Sequence, residues 1–302
     1  MSKLWNRLRA FHGRGREEGE YISVANLSWR KFRRNRLAVL SLIVLLVIAT
    51  ISFLAPVIAP YSYSEMDLTL ARQAPTPEHI LGTDEYGRDL LTRLIYGGRV
   101  SMTVALASML LQLVIGVVLG CLAGYFGAWV DALIMRVTDV FMCFPFYIMA
   151  VCLAAIVKPG LKNLILIIGF LSWTGICRIV RAEILSLKEN DYILAARSLG
   201  IRPGAIIRRH ILPNILSPIL VAATLSIAGG IMAEASMSFL NLGVRTPQSS
   251  WGNMLSAAQS MQALVNEWWR WVPPGVMIVV VVLAINYVGE GLRNALDPRI
   301  GN

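Results

Sequence analysis

Residues 30–59 read RKFRRNRLAVLSLIVLLVIATISFLAPVIA. Five basic side chains, Arg30, Lys31, Arg33, Arg34 and Arg36, stand directly before a stretch, 37–59, that carries no charge at all. A helix needs about 20 predominantly apolar residues to cross the hydrocarbon core of a bilayer, and Lys and Arg at its end favour the cytoplasmic side. This stretch therefore reads as a membrane span that enters from the inside.

The same pattern recurs along the chain. Apolar runs near 37–59, 100–124, 137–157, 163–180, 215–240 and 272–290 make six expected spans. Composition agrees: 56% of the 302 residues are hydrophobic and only 15% are charged, against about a quarter charged in soluble domains. Mean hydropathy is +0.61. These values exclude a disordered chain and argue against a soluble enzyme. The expected fold is an all-α integral membrane protein of six transmembrane helices, preceded by a basic N-terminal segment, 1–36. The six-helix domain is expected to occupy 37–299.

Lys and Arg number 28 against 18 Asp and Glu, a net charge of +10. With the N-terminus inside, the inner segments and the inner end of the fourth span, where Arg178 lies, hold 20 of the 28; the outer segments hold 8. Both termini are thus expected in the cytoplasm, and the basic excess is read as membrane orientation rather than nucleic-acid binding. The first apolar run begins more than thirty residues in, so no cleavable signal peptide is expected. Trp268, Trp269 and Trp271 precede the last span as an interfacial aromatic belt would.

Cys121, Cys143, Cys152 and Cys177 fall inside apolar runs with no C-x-x-C pair and read as small apolar fillers. His12, His79 and His210 are far apart and lack H-E-x-x-H spacing, so no metal site is expected. The chain also has no G-x-x-x-x-G-K-[ST] to cradle ATP phosphates.

Four local features stand out. In the first outer segment, residues 82–89 read GTDEYGRD, where Thr83 or Asp84 can cap a short helix with one apolar face, lying along the interface or over a pore mouth. Gly116, Gly120 and Gly124 share one helical face and admit a second helix at close range. Pro145 predicts a kink inside the third span. Glu234 in the fifth span and Asp139 in the third are costly intramembrane acids, which mark either a pathway or a structural pair. Pro145 and Glu234 are the candidate translocation-path residues.

The cytoplasmic segment 181–214, RAEILSLKENDYILAARSLGIRPGAIIRRHILPN, is the most informative. A helix continuing from the fourth span would stop at Gly200, suited to a left-handed position just past a helix end. Pro203 would open a second short helix ending near Pro213. The result is a helix–turn–helix elbow able to dock a partner.

That segment resembles the cytoplasmic loop of bacterial ABC-importer permeases, whose motif runs E-A-A, three residues, G, nine residues, I-x-L-P. Ala195, Ala196, Gly200, Leu212 and Pro213 match at that spacing; Leu194 stands where the motif has Glu and His210 where it has Ile. Glu189 and Asp191 are the nearby acids. Five blocks are similar to the dipeptide, oligopeptide and nickel permease family, to the second of its two paired permeases: LGTDEYGRDLLTRLIYGGRVS at 81–101, with Gly82, Asp84, Gly87, Arg88 and Asp89, ARSLG at 196–200, RHILPN at 209–214, EASMSFLNLGVRTPQSSWGNML at 234–255 and GEGLRNALDPR at 289–299.

The resemblance implies a non-enzymatic transport subunit in a bacterial cytoplasmic membrane, pairing with a homologous permease as a heterodimer. It implies two cytoplasmic ABC ATPase subunits that bind ATP and Mg, no cofactor in this chain, and an extracytoplasmic solute-binding protein. Ala195, Ala196, Gly200, Leu212 and Pro213 would carry the coupling surface. Peptides are the expected cargo, with nickel or another metal chelate as the alternative. A secondary transporter or channel is the first rival; it would favour paired intramembrane ionisable groups or broken helices placed as inverted repeats, and no internal repeat is evident. An intramembrane enzyme is the second; it would need a nucleophile–base or metal set within the spans, where no His stands and the acids show no paired spacing.

Overall fold

The structure, a computed structural model, describes residues 24–296. Most of the basic segment 1–36, and the last residues of the GEGLRNALDPR block, lie outside that range. The described residues form helices, with one long irregular connection before Leu90 that carries an isolated β-bridge, Thr83 to Asp89. We label them α1 Val24–Arg34, α2 Arg36–Phe53, α3 Leu90–Phe126, α4 Ala128–Cys143, α5 Phe146–Ile156, α6 Leu161–Leu171 and α7 Trp173–Leu187. There follow α8 Asp191–Ser198, α9 Pro203–Ile206, α10 Leu212–Phe239, α11 Trp251–Leu255, α12 Met261–Asn266 and α13 Val272–Leu296.

Among the described residues, five helices are long and apolar enough to cross a membrane: Arg36–Phe53, Leu90–Phe126, Leu161–Leu187, Pro203–Phe239 and Trp268–Leu296. The third expected span is not one rod. It is the pair α4 and α5, bent by 87° where Phe144 and Pro145 interrupt the helix. Pro145 has no N–H to donate and holds an extended backbone, so the ladder restarts after it. The expected kink is there, sharper than a kink.

α2 shows why such helices need lipid. Asn35 caps it, its side chain accepting from the Ala38 N–H at 3.2 Å. Leu37, Leu40, Ile43, Leu46 and Val47 all face outward and exposed, which in water would be an apolar stripe without a partner. Its other side meets α13, and Phe32 of α1 closes the lower end against Ala38 and Ala295.

The bundle is organised by α3, 37 residues long and therefore roughly 55 Å from end to end. It makes its most extensive contact with α7 and further contacts with α10, α6 and α2. The glycine face explains the first. A methyl group on Gly116 would lie 2.8 Å from Cβ of Ile176, on Gly120 2.7 Å from the Cys177 carbonyl oxygen, and on Gly124 2.8 Å from Cβ of Ile184. Where lipid is as apolar as the side chains, this backbone-to-backbone approach is what holds two helices together. Two ion pairs then staple α4 to α7. Arg181 grips Asp131 through Nε and Nη2 at 2.5 and 2.6 Å, and Arg178 reaches Asp139 at 2.6 Å, so Asp139 is a structural partner.

Three expectations are corrected. The span near 100–124 starts ten residues earlier, because Asp89, not Thr83 or Asp84, is its cap; no separate short helix covers 82–95. The fourth span does not run on to Leu199. It ends at Leu187, and Asn190, with φ −71° and ψ 140°, starts α8 afresh, in keeping with the preference of Asn for helix ends over interiors. The helix opened by Pro203 does not end near Pro213. It passes through a π turn, Ile207–Ile211, into α10. Pro213 lacks the N–H that Arg209 would need for an ordinary α-helical bond, and a wider turn accommodates the loss.

Gly120→Val is expected to lower the stability of the detergent-purified chain by about 1–3 kcal/mol through overpacking against α7. Gly175→Ala, where nothing lies within 4 Å, should leave the thermal midpoint unchanged or slightly raised, and a thermal scan of both variants checks the pair.

Candidate functional site

Two assemblies sit at opposite ends of α3. At its C-terminal end lies the elbow. α8 closes with a paired turn: the Gly200 N–H donates to the Arg197 carbonyl at 2.9 Å and the Ile201 N–H to the Ala196 carbonyl at 3.2 Å, with Gly200 at φ +73°. This six-to-one and five-to-two pattern requires a left-handed residue and explains the glycine. Pro203 then opens α9 as expected. Ile193, Ala196, Ile206, Ile211 and Ile215 are buried in one cluster with Tyr125 of α3 and Ile176, Val180 and Ile184 of α7. The Arg197 guanidinium lies 4.7 Å above the Tyr125 ring. The elbow is thus seated on the ends of the two most tightly packed helices.

The five residues read from the motif divide. Ala196 is buried and Leu212 half-buried against the same cluster; Ala195, Gly200 and Pro213 are exposed. Around them lie exposed apolar side chains that the motif did not point to: Tyr192, Leu194, Ile201 and, at 80% exposed, Leu199. Leu194, in the motif's Glu position, belongs to this apolar face, while Glu189 and Asp191 stand exposed beside it.

At the other end is a cap built by residues 60–89 and 241–271. Gly82 (φ +74°) and Gly87 (φ +72°) turn the chain so that Thr83 bridges Asp89. A methyl group on Gly87 would run into the Asp67 carbonyl, so this turn admits only glycine. Asp84 accepts from the Tyr86 N–H at 2.8 Å, the Arg88 N–H at 3.1 Å and Arg88 Nε at 2.7 Å, with Arg93 Nε at 3.4 Å. Asp89 caps α3 through the Thr92 N–H at 2.7 Å and meets His79 Nδ1 at 3.0 Å. Asp84, Arg88, Asp89, Arg93 and His79 are all buried. The five residues of the outer block therefore act together as a folding unit. His79 joins it without any signal in the sequence beyond its place in the segment. Asp67 starts the turn below Gly87, and two hydrogen bonds from Thr69 hold its exposed carboxyl below the ordinary carboxylate range.

A second network joins the cap to the last span. Arg270 binds Glu267 and Glu85, and Arg72 approaches Glu267 at 3.9 Å. Trp269 packs on Gly82 rather than facing outward, leaving Trp268 as the exposed member of the expected belt.

Glu234 is placed differently from a path-lining acid. Its carboxylate has no exposed surface and accepts from Ser101 Oγ at 2.6 Å and Ser238 Oγ at 2.7 Å; Ser101 Oγ also accepts from the Trp251 N–H at 3.2 Å. It ties α10 to α3 and α11, so of the two path candidates only Pro145, exposed at the bend, remains on a surface. Among the described residues no group of three His, Cys, Asp or Glu side chains could hold a metal ion.

Asp84→Ala strands two buried guanidinium groups. The expected loss is about 3–5 kcal/mol, the range for removing one partner of a buried ion pair, read as a lowered thermal midpoint of the purified chain; an unchanged midpoint would remove Asp84 as the centre of the cap.

Comparison with known proteins agrees with this architecture. The family described as binding-protein-dependent transport system inner membrane component matches residues 116–302, and the N-terminal TM domain of oligopeptide transport permease C matches residues 23–75. The dipeptide transport system permease protein DppC of Alkalihalophilus pseudofirmus is 38% identical over 285 residues, 94% of this chain and 93% of that protein. The oligopeptide transport system permease protein OppC of Bacillus subtilis is 36% identical over 288 residues, 94% of each. In fold the chain is similar to a chain of the MetNI methionine ABC transporter in an inward-facing conformation, with TM-score 0.57 and 20% identity over 68% of this chain and 96% of that one. With a seated elbow, a six-span bundle and relatives matched over nearly their whole length, the chain belongs to the inner-membrane permease family of binding-protein-dependent ABC transporters, in its dipeptide and oligopeptide branch.

Proposed function

We propose that this chain is the second of two homologous permeases in an importer that moves peptides inward across a bacterial cytoplasmic membrane. The observation that carries the coupling part is the elbow: an exposed apolar face on α8, held rigidly by its own buried face on α3 and α7. In this reading an ATPase subunit docks on Tyr192, Leu194, Leu199 and Ile201 with Ala195, Gly200 and Pro213. Closure of two such subunits on ATP and Mg shifts α8, and the packed helices pass the shift to the spans, as a two-state element biased from both sides requires. No residue of the chain makes or breaks a bond, and the chain binds no cofactor. Both termini lie in the cytoplasm, the cap faces outward, and a solute-binding protein delivers cargo to it. The cargo reading rests on the relatives, whose names are those of dipeptide and oligopeptide permeases. The path runs along the third and fifth spans and part of the second, with Pro145 at its bend.

The test is reconstitution with the neighbouring permease, ATPases and receptor, measuring ATP hydrolysis stimulated by peptide-loaded receptor against nickel-chelate-loaded receptor. Leu199→Asp places a charge on an 80% exposed position, where folding is indifferent to it. It is expected to cut ATPase co-purification and peptide-stimulated turnover at least tenfold. Gly200→Val, forced against φ +73° at a cost of about 1–2 kcal/mol, should keep membrane insertion and lose coupling, while Gly204→Ala, with open space around it, should retain it. Full stimulated turnover in both Leu199→Asp and Gly200→Val would sink the docking role.

A further inference from the structure

The cap forms a half-open cavity of about 710 Å³ between the outer block and the segment 241–260. Five arginines line it, Arg72, Arg88, Arg93, Arg245 and Arg270, against two carboxylates, Asp84 and Glu85. Those carboxylates are already engaged. Asp84 is taken by Arg88 Nε, Arg93 Nε and two backbone N–H groups, and Glu85 by Arg270. The arginines are engaged only in part, even with Glu267 counted, which Arg270 also holds and which lies 3.9 Å from Arg72. Arg88 is 2% exposed, Arg93 4% and Arg270 6%, and Nη1 of Arg88, Nη1 of Arg93 and Nε of Arg270 are buried with no hydrogen-bond partner among the described residues.

A fold alone has no use for this. A structural ion-pair network ends with its charges matched, because a buried guanidinium left with unsatisfied N–H groups costs free energy. Here Arg88 and Arg93 each turn Nε to Asp84, and Arg270 holds Glu267 through Nη1 and Glu85 through Nη2, yet each of the three guanidiniums keeps one nitrogen without a partner among the described residues. Arg72, half exposed, and Arg245, exposed, add charge at the rim. The Arg88 guanidinium is held 4.6 Å over the Tyr86 ring, which fixes its plane without using an N–H. Planar donors fixed in this way suit a planar acceptor, and a carboxylate takes two parallel N–H bonds from such a fork.

We propose that this cavity is a binding site for a carboxylate group. Two sources share that chemistry: the terminal carboxylate of a small peptide, and an acidic side chain presented by a docking protein. The cavity has room for the first whole and for the tip of the second. The inference stands on the cavity and holds whether or not the chain moves peptides.

The full chain in detergent, without partners, is titrated calorimetrically with three probes: trialanine, trialanine amide, and N-acetylglutamate N-methylamide, whose only carboxylate is a side chain. Trialanine binding at least tenfold tighter than its amide assigns the site to terminal carboxylates. Equal binding of trialanine and the glutamate derivative, with the amide weak, assigns it to carboxylates of either origin, and binding of the glutamate derivative alone assigns it to an acidic side chain. Either acid's affinity should fall at least fivefold in Arg245→Gln, whose exposed side chain makes no ion pair among the described residues, and should weaken with added salt. Arg93→Lys, which keeps the charge and loses the fork, should also weaken it. Measurable binding of trialanine and its amide with equal affinity, no binding of any probe, or carboxylate binding unaffected by both variants would overturn the proposal.

Discussion

The close packing of α3 on α7 is the constraint on which the rest of the structure depends. A methyl group on any of Gly116, Gly120 and Gly124 would lie under 3.0 Å from an atom of α7, and in a bilayer such close contact replaces the missing hydrophobic drive between helices. Because α3 reaches from the cap to the elbow, anything fixed to it is fixed to both ends. Ile193 and Ile211 of the elbow rest on this helix pair, and the cap begins as the capping turn of α3 itself.

The two ends are built by opposite physics. At the elbow the stabilising contacts are aliphatic and the surface left over is apolar, a face that suits another protein. At the cap the contacts are ionic and buried. Asp84 and Asp89 each organise several donors in a space nearly closed to water, and arginine is in excess. Buried ion pairs contribute little net stability against an apolar replacement, so a cap of this kind earns its place by geometry: it sets the direction of α3 and holds guanidinium planes still.

The third span shows how a single residue redirects a fold. Pro145 breaks a run of apolar residues that would otherwise cross as one helix, and the resulting 87° bend turns α5 onto α6, where Ala150 and Ala154 pack against Leu164 and Ile168. Glu234 shows the reverse: an acid in an apolar helix that stays there because Ser101 and Ser238 satisfy both of its oxygens.

Much was legible in the sequence. The six apolar runs, the glycine face of α3, the interruption at Pro145 and the left-handed turn at Gly200 all follow from local rules, because each depends on residues within a few turns of one another. The elbow was legible as a shape. Its working surface was not: Ala196 and Ala195 are neighbours in sequence, one buried and one exposed, and Leu199 is singled out only once α8 is seated. The cap was least legible. Glu85 and Arg270 are 185 positions apart and Ser101 and Glu234 are 133 apart, and no periodicity reports a pairing across such distances. Sequence by itself determined that this chain spans a membrane and where it turns, since hydropathy and backbone preference are local energies. Which charges are spent on each other and which are left free was decided only by the tertiary structure, since a charge's partner is set by distance in space.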